Sequence, residues 1–329
     1  MHEAPLALGR ATSRGVNPDR AFRWLSLACG AAAVAVLGAM AVFLVGEAFP
    51  AIRNYGFWSF LHFRWAPSEA TSSSAVNPYG IVQFIYGTLI TSALAMVLAV
   101  PISVGVALFI TQIAPPRLRK PLVAVTELLA AVPSVVYGFW ALFALLPALR
   151  PVARLSESTL GRLPVVGGVF EGPFFGFSYF AASIVLTIMI LPIITAIVRE
   201  VFTTVPRDHR EAALALGATR WEMIRVAVLP YSRNGILGAS FLGLGRALGE
   251  TIAVTMVIGN NVIGISKSIL GQGATLASVV ANEFTEANQP FHLESLFVVA
   301  FWLLLITLVV NIGARLLVNR SGRVIGGTL

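Results

Sequence analysis

The sequence predicts an all-α membrane protein with six transmembrane helices, and three observations carry that prediction. The composition is that of a membrane chain: mean hydropathy is +0.83, with 57% hydrophobic and 12% charged residues over 329 positions, against about 25% charged in a soluble domain. Six apolar runs are each long enough to cross about 30 Å of hydrocarbon. The basic residues are unevenly shared between the two sets of connections.

Residues 1–20 are polar and read as a tail that carries Arg10, Arg14 and Arg20. The first run, Phe22 to Gly46, is too long for a signal-peptide core and reads as a retained anchor. A connection from Glu47 to Gln83 follows, where Trp58, Trp65 and Tyr79 fit an interfacial belt and the Ser-rich ATSSSAVNPYG fits an exposed loop. The second run, Phe84 to Ile110, contains Pro101, which should kink it or end it early. After a basic turn at Arg117, Arg119 and Lys120, the third run spans Leu122 to Leu149, with Pro133 and Gly138 inside it. Arg150 to Phe177 is rich in Gly and Pro and has no sustained period. The fourth run is Tyr179 to Val198, the fifth Gly235 to Ile258 and the sixth Leu296 to Val318. Between the last two, LGQGATLASVVANEFTEA is amphipathic enough for a short or re-entrant helix. The spanning domain therefore occupies 21–320, with a C-terminal tail at 321–329.

Six spans place both termini on one side. Sixteen Lys and Arg fall in the tails and connections of that side and six in the others, with Arg246 inside a span. The positive-inside rule then makes both termini cytoplasmic, together with the insert between the fourth and fifth runs.

That insert, about 207–230, is the polar exception in an apolar chain. Asp208 and Glu211 fit a helix start, Thr219 and Glu222 form a capping-box pattern, Gly217 can turn the chain, and Pro230 limits the second helix. Leu214, Trp221, Ile224 and Val228 share helical spacing, so one face is apolar. On pattern alone this is either an amphipathic helix lying on the membrane or a docking surface.

Charges inside spans cost about 2.5 to 3.5 kcal/mol each, so each needs a reason. Glu127 lies shallow in the third run, where it can snorkel, and reads as a structural or path charge. Arg246 and Glu250 are near mid-span. Four residues apart on one helix, they can pair and partly neutralise each other. The alternative is that Arg246 offers its guanidinium to an anion in a polar passage while Glu250 positions it or exchanges with the anion. Gly245 and Gly249 form a G-x-x-x-G that would admit a neighbouring helix.

Several chemistries are excluded. Neither Lys120 nor Lys267 belongs to a phosphate-binding loop, so the chain is not its own P-loop ATPase. His2, His62, His209 and His292 are scattered without a metal-binding spacing, and no G-x-S-x-G occurs. With Cys29 alone, no intrachain disulfide forms. The basic residues are spread over short loops, so no nucleic-acid-binding face is predicted.

EAALALGATRWEMIRVAVLP resembles the EAA loop of permease subunits in ABC importers. Glu211, Ala212, Ala213, Gly217, Leu229 and Pro230 fall in its register, while the usual aliphatic position is Ala227. NPYGIVQFIYGTLITSALAMVLAVPISVGVALFI, ELLAAVPSVVYGFWAL and GLGRALGETIAVTMVIGN are similar to the phosphate-importer branch of these permeases, of the C-subunit type rather than the A-subunit. The resemblance covers most of 77–260. It implies a type I importer permease without catalytic residues in the bacterial inner membrane, the insert acting as a cytoplasmic coupling helix. It also implies a second related permease, two copies of a cytoplasmic ATP-binding subunit that hold ATP and Mg, and an extracytoplasmic phosphate-binding protein. No cofactor is expected in this chain, and Arg246 and Glu250 match the family's RALGET segment on the anion path. The partner A-type permease subunit, a permease for phosphonate, sulfate or molybdate, a proton-coupled secondary transporter and a polytopic membrane enzyme are the competing expectations.

Overall fold

The computed structural model describes residues 18–70, 76–159, 161, 167–170 and 174–323. The expected tails before Pro18 and after Arg323, residues 71–75 of the Ser-rich segment and Arg162 lie outside them. The described residues are almost entirely helical, with a few isolated bridges and no strands. Five helical stretches are long and apolar enough to cross a membrane: Asp19–Tyr55, Val82–Ile113, Ser134–Ser156, Tyr179–Thr203 and His292–Leu316. Arg220–Gly249 and Ile252–Ile258, bent by 63°, make a sixth when counted together.

Helix α1 (Pro18–Tyr55) runs well past Gly46 and carries Pro50 within it. It lies outside the bundle and packs against α12 (His292–Arg323), with Phe43 meeting Phe297 and Tyr55 meeting Phe291. The two are therefore antiparallel. Helix α2 (Val82–Leu108) passes through Pro101 and closes in a π turn at Phe109–Ile113. Helix α3 (Pro116–Ala131) follows.

The third run is not one span. Val132 and Pro133 are extended, because proline disfavours the helical conformation in the residue before it, and α4 (Ser134–Trp140) starts afresh. The Tyr137 hydroxyl staples the break by donating to the Leu129 carbonyl at 2.7 Å. A π turn (Ala141–Leu145) leads into α5 (Leu146–Thr159), so helix continues through Pro147 and Pro151 into the stretch expected to be irregular.

Helix α6 (Tyr179–Thr203) is the centre of the bundle. Ser178 caps it, accepting from the Ala181 N–H at 3.1 Å, and two-thirds of its most apolar window is buried. It runs parallel to α2: the Thr187 hydroxyl donates to Ala95 and the Ser103 hydroxyl to the Leu191 carbonyl. Helices α7 (Arg207–Ala215) and α8 (Arg220–Met223) form the insert. Helix α9 (Leu229–Gly249) then returns antiparallel along α6, where Gly243 leaves no room for a side chain beside Ile194. Helix α10 (Ile252–Ile258) follows the bend, and α11 (Leu276–Glu283) enters beside α2, α10 and α12. The short helix expected between the last two runs is thus present, with its first four residues buried and Thr275 bonded reciprocally to Ser278.

Trp65 and Tyr79 do not form a membrane-interface belt. They are buried at the end opposite α7, in a lobe with Phe60, Phe84 and Leu276, while Trp58 stays exposed. Each buried aromatic needs a partner for its polar atom. The Trp65 indole donates to Glu283 at 2.8 Å and the Tyr79 hydroxyl to the Pro290 carbonyl at 2.7 Å. His292 shares the Glu283 carboxylate at 2.9 Å.

Candidate functional site

Two places combine polar chemistry with membrane-spanning helices: the turn through α7 and α8, and the break between α9 and α10. The first is a rigid corner. Helix α7 ends in a Schellman motif, in which the Ala218 N–H bonds back to the Ala213 carbonyl at 3.1 Å and the Gly217 N–H to Leu214 at 3.0 Å. Gly217 sits at φ 87°, which a side chain would oppose. The Thr219 capping box is complete: Glu222 N–H reaches the Thr219 hydroxyl, and the Thr219 N–H donates to the Glu222 carboxylate at 2.8 Å. Helix α7 itself begins after an extended Pro206, without a side-chain cap from Asp208. Arg210 fixes this corner to the bundle by donating to the Phe202 and Val205 carbonyls at 2.7 and 3.1 Å.

The apolar residues of the insert do not share one face. Ile224 and Val228 are buried in the bundle, whereas Leu214 and Trp221 are 45% and 63% exposed, beside Leu216 at 90%. The chain reverses at Gly217, so spacing counted across it has no helical meaning. The outcome is an uncovered apolar patch next to exposed Glu211 and Ala212, with Ala213 and Leu229 turned toward the core.

Pro230 does not end the second helix. Between Ile224 and Val228 the helix widens to a π turn, and the Leu229 N–H bonds five residues back to Ile224. Shifting the bonding register by one residue accommodates the missing proline N–H and the crowding of its ring against the preceding turn. Pro230 lies exposed in the first turn of α9, where proline fits best.

The fifth run breaks at Glu250, which is extended (φ −69°, ψ 127°) after α9 ends at Gly249. Of the two readings of this pair, one-turn pairing is not found: among the described residues Arg246 and Glu250 form no ion pair. Arg246 is exposed on α9, within electrostatic reach of the Tyr137 hydroxyl, and Glu250 is half-buried. The break is clamped on its far side. Gly138 of α4 brings the helices so close that an added Cβ would lie 2.7 Å from Met256 Sδ and 2.9 Å from Ala253 Cα. The Val257 carbonyl accepts from the Ser178 N–H at 3.1 Å. Gly245 and Gly249 do not make a close helix crossing among the described residues: a Cβ added at Gly245 would meet Asn311 of α12 only at an ordinary contact of 3.9 Å, and one added at Gly249 would meet nothing within 4 Å. The close contact belongs instead to Gly243.

An unpaired guanidinium and a non-helical residue at membrane depth are tolerated where they meet water or protein rather than lipid. Chemically, such an arrangement can offer a fork of N–H donors to an oxyanion.

Glu127 lies on α3, outside the span that α4 and α5 form, and pairs with Arg199 of α6 at 3.2 Å. Sequence reasoning missed what surrounds this pair. Arg119, Arg207 and Arg210 converge with Arg199 on one cavity. Their only trace in the sequence is a high local count of arginines, which by itself reports orientation.

The protein family described as "Binding-protein-dependent transport system inner membrane component" matches residues 99–323. Among individual proteins, the chain is 40% identical over 311 residues to a phosphate transport system permease protein PstC of Xylella fastidiosa (strain 9a5c), covering 94% of this chain and 93% of the relative. It is 42% identical over 286 residues to PstC of Pasteurella multocida (strain Pm70), covering 87% of each. It is also 40% identical over 297 residues to PstC 2 of Mycobacterium tuberculosis (strain ATCC 25618 / H37Rv), covering 90% of each. Among solved structures, a bacterial alginate ABC transporter in complex with its alginate pentasaccharide-bound periplasmic protein aligns over 94% of this chain with a TM-score of 0.57 at 16% identity. That likeness identifies the fold as the type I ABC importer permease fold.

Proposed function

The chain belongs to the family of binding-protein-dependent transport system inner membrane components, and on that footing we propose how it works as the C-type permease subunit of a phosphate importer. The α7 end faces the bacterial cytoplasm and carries both termini. The patch of Leu214, Leu216 and Trp221 beside Glu211 and Ala212 docks an ATP-binding subunit, which holds ATP and Mg. Gly217 and the capping box keep that surface rigid, while Leu229 and Pro230 join it to α9. The permease contributes no catalytic residue. Two copies of the ATP-binding subunit and a second, related permease complete the membrane complex, and an extracytoplasmic binding protein delivers phosphate to its outer face.

The observation that carries the path reading is Arg246, charged, exposed and unpaired beside the break in its span. Against lipid such a side chain costs about 2.5 to 3.5 kcal/mol, so it faces the second permease across a polar passage and meets the anion there. Glu250 competes for the same guanidinium and keeps binding weak enough for release. Motion of α7, transmitted through α9, then switches the side from which Arg246 is reached.

The test is uptake of labelled phosphate in cells carrying Arg246→Gln, with assembly of the complex measured separately. Uptake should fall by at least about tenfold, equivalent to 1.4 kcal/mol, in a complex that still assembles. Normal uptake would reduce Arg246 to a structural residue.

A further inference from the structure

A cavity of about 340 Å³ opens at the α7 end, far along α9 from Arg246, and four arginines line it. Arg119 comes from α3, Arg199 from the last turns of α6, and Arg207 and Arg210 from α7, with Thr111 and Thr203 adding hydroxyls. Among the described residues the charge on this lining is answered by one ion pair. Arg199 engages Glu127 through Nη2, while its Nη1 is buried without a partner among the described residues. Arg210 uses Nη2 on two carbonyls, and its Nε is also buried and unpartnered. Arg119 donates Nε to the Ala114 carbonyl at 2.9 Å, and no contact to its terminal nitrogens is found among the described residues. Four guanidinium groups facing one carboxylate repel one another, and buried N–H groups without acceptors are costly.

Both problems have the same remedy: a compact group with several negative oxygens, which guanidinium forks bind in a bidentate manner. We propose that this cavity binds a phosphate-type oxyanion and that the bound group ties α7 to α3 and α6. Free inorganic phosphate and the phosphate headgroup of an anionic lipid offer the same chemistry. Either one bridges three separate elements at the root of the exposed patch, so occupancy restrains the part of the chain that would have to move. The inference stands apart from the transport path, because its test reads backbone protection without any uptake.

The experiment is hydrogen exchange of amides 207–215 in the complete complex, held in phosphatidylcholine nanodiscs. It is run with millimolar inorganic phosphate and with chloride at equal ionic strength. Phosphate should slow exchange by at least about threefold, and Arg119→Gln/Arg207→Gln should abolish the protection. Both of those side chains are exposed, so the fold should persist. Lys120→Gln removes a neighbouring charge that does not line the cavity, and it should leave the protection intact.

A second arm omits phosphate and exchanges phosphatidylcholine for phosphatidylglycerol. Protection there that needs Arg119 and Arg207 assigns the site to a lipid headgroup. The proposal fails if neither arm gives protection or if protection survives Arg119→Gln/Arg207→Gln. It fails equally if protection is complete without either anion and disappears when the ATP-binding subunit is stripped away, since the arginines would then dock protein.

Discussion

The span from Arg220 to Ile258 is interrupted twice, and the two interruptions differ in kind. At Pro230 the chemistry of the residue itself forbids a regular helix, yet the helix continues, because a π turn shifts the bonding by one residue. The same device precedes Pro147 in the third span, and ahead of Pro115 it closes α2. At Glu250 no residue forbids helix, yet the helix stops and the chain bends by 63°. A local steric defect is thus repaired locally. The second break has no local cause, so tertiary packing holds it: Gly138 against Ala253 and Met256, and Ser178 on the Val257 carbonyl. A break maintained from outside the segment marks a place where the backbone serves function rather than stability.

That contrast can be broken most forcefully at the clamp. Gly138→Val inserts atoms where Met256 and Ala253 already stand, so overpacking should cost about 1 to 3 kcal/mol. A thermal melt of the assembled complex should show it as a lower midpoint. An unchanged midpoint would mean that the bend holds itself. Next in size is the corner. Gly217→Val forces a β-branched residue into the left-handed region at about 1 to 2 kcal/mol, with the spans untouched. Phosphate uptake should drop while assembly of the membrane helices persists, and full uptake would show that the corner need not be rigid.

The smallest effect belongs to Pro230→Ala, which should change stability by less than about 0.5 kcal/mol. Without proline the π turn can relax to an ordinary α-helix, which rotates α8 by about 100° relative to α9. Uptake should therefore fall although the melt does not move. If both stay constant, the π turn has a cause other than proline.

How far the chain was legible follows the same division. Apolar length announced every span, since hydrocarbon thickness acts on each run independently, and α6 starts at the expected Tyr179. Punctuation with a local mechanism was readable too: Gly217 turns the chain and Thr219 caps α8. Pro133 was visible, but as a kink inside one span; only packing along α6 reveals α3 as a separate helix. The break at Glu250 had no signature, so the reading in which it pairs with Arg246 along one helix face assumed a helix that ends one residue too soon. The arginine cavity was equally hidden, because Arg119 joins Arg199, Arg207 and Arg210 only when α3 folds back against α6.

Arg210 has one more consequence. It ties the exposed corner to the Phe202 carbonyl in the last turn of α6, the most enclosed helix of the bundle, and to the Val205 carbonyl in the short connection that follows, so the three residues between α6 and α7 are braced by the same side chain. If the corner is where a partner docks, as proposed, this brace gives a displacement there a direct mechanical route into the enclosed middle of the molecule, like a pushrod.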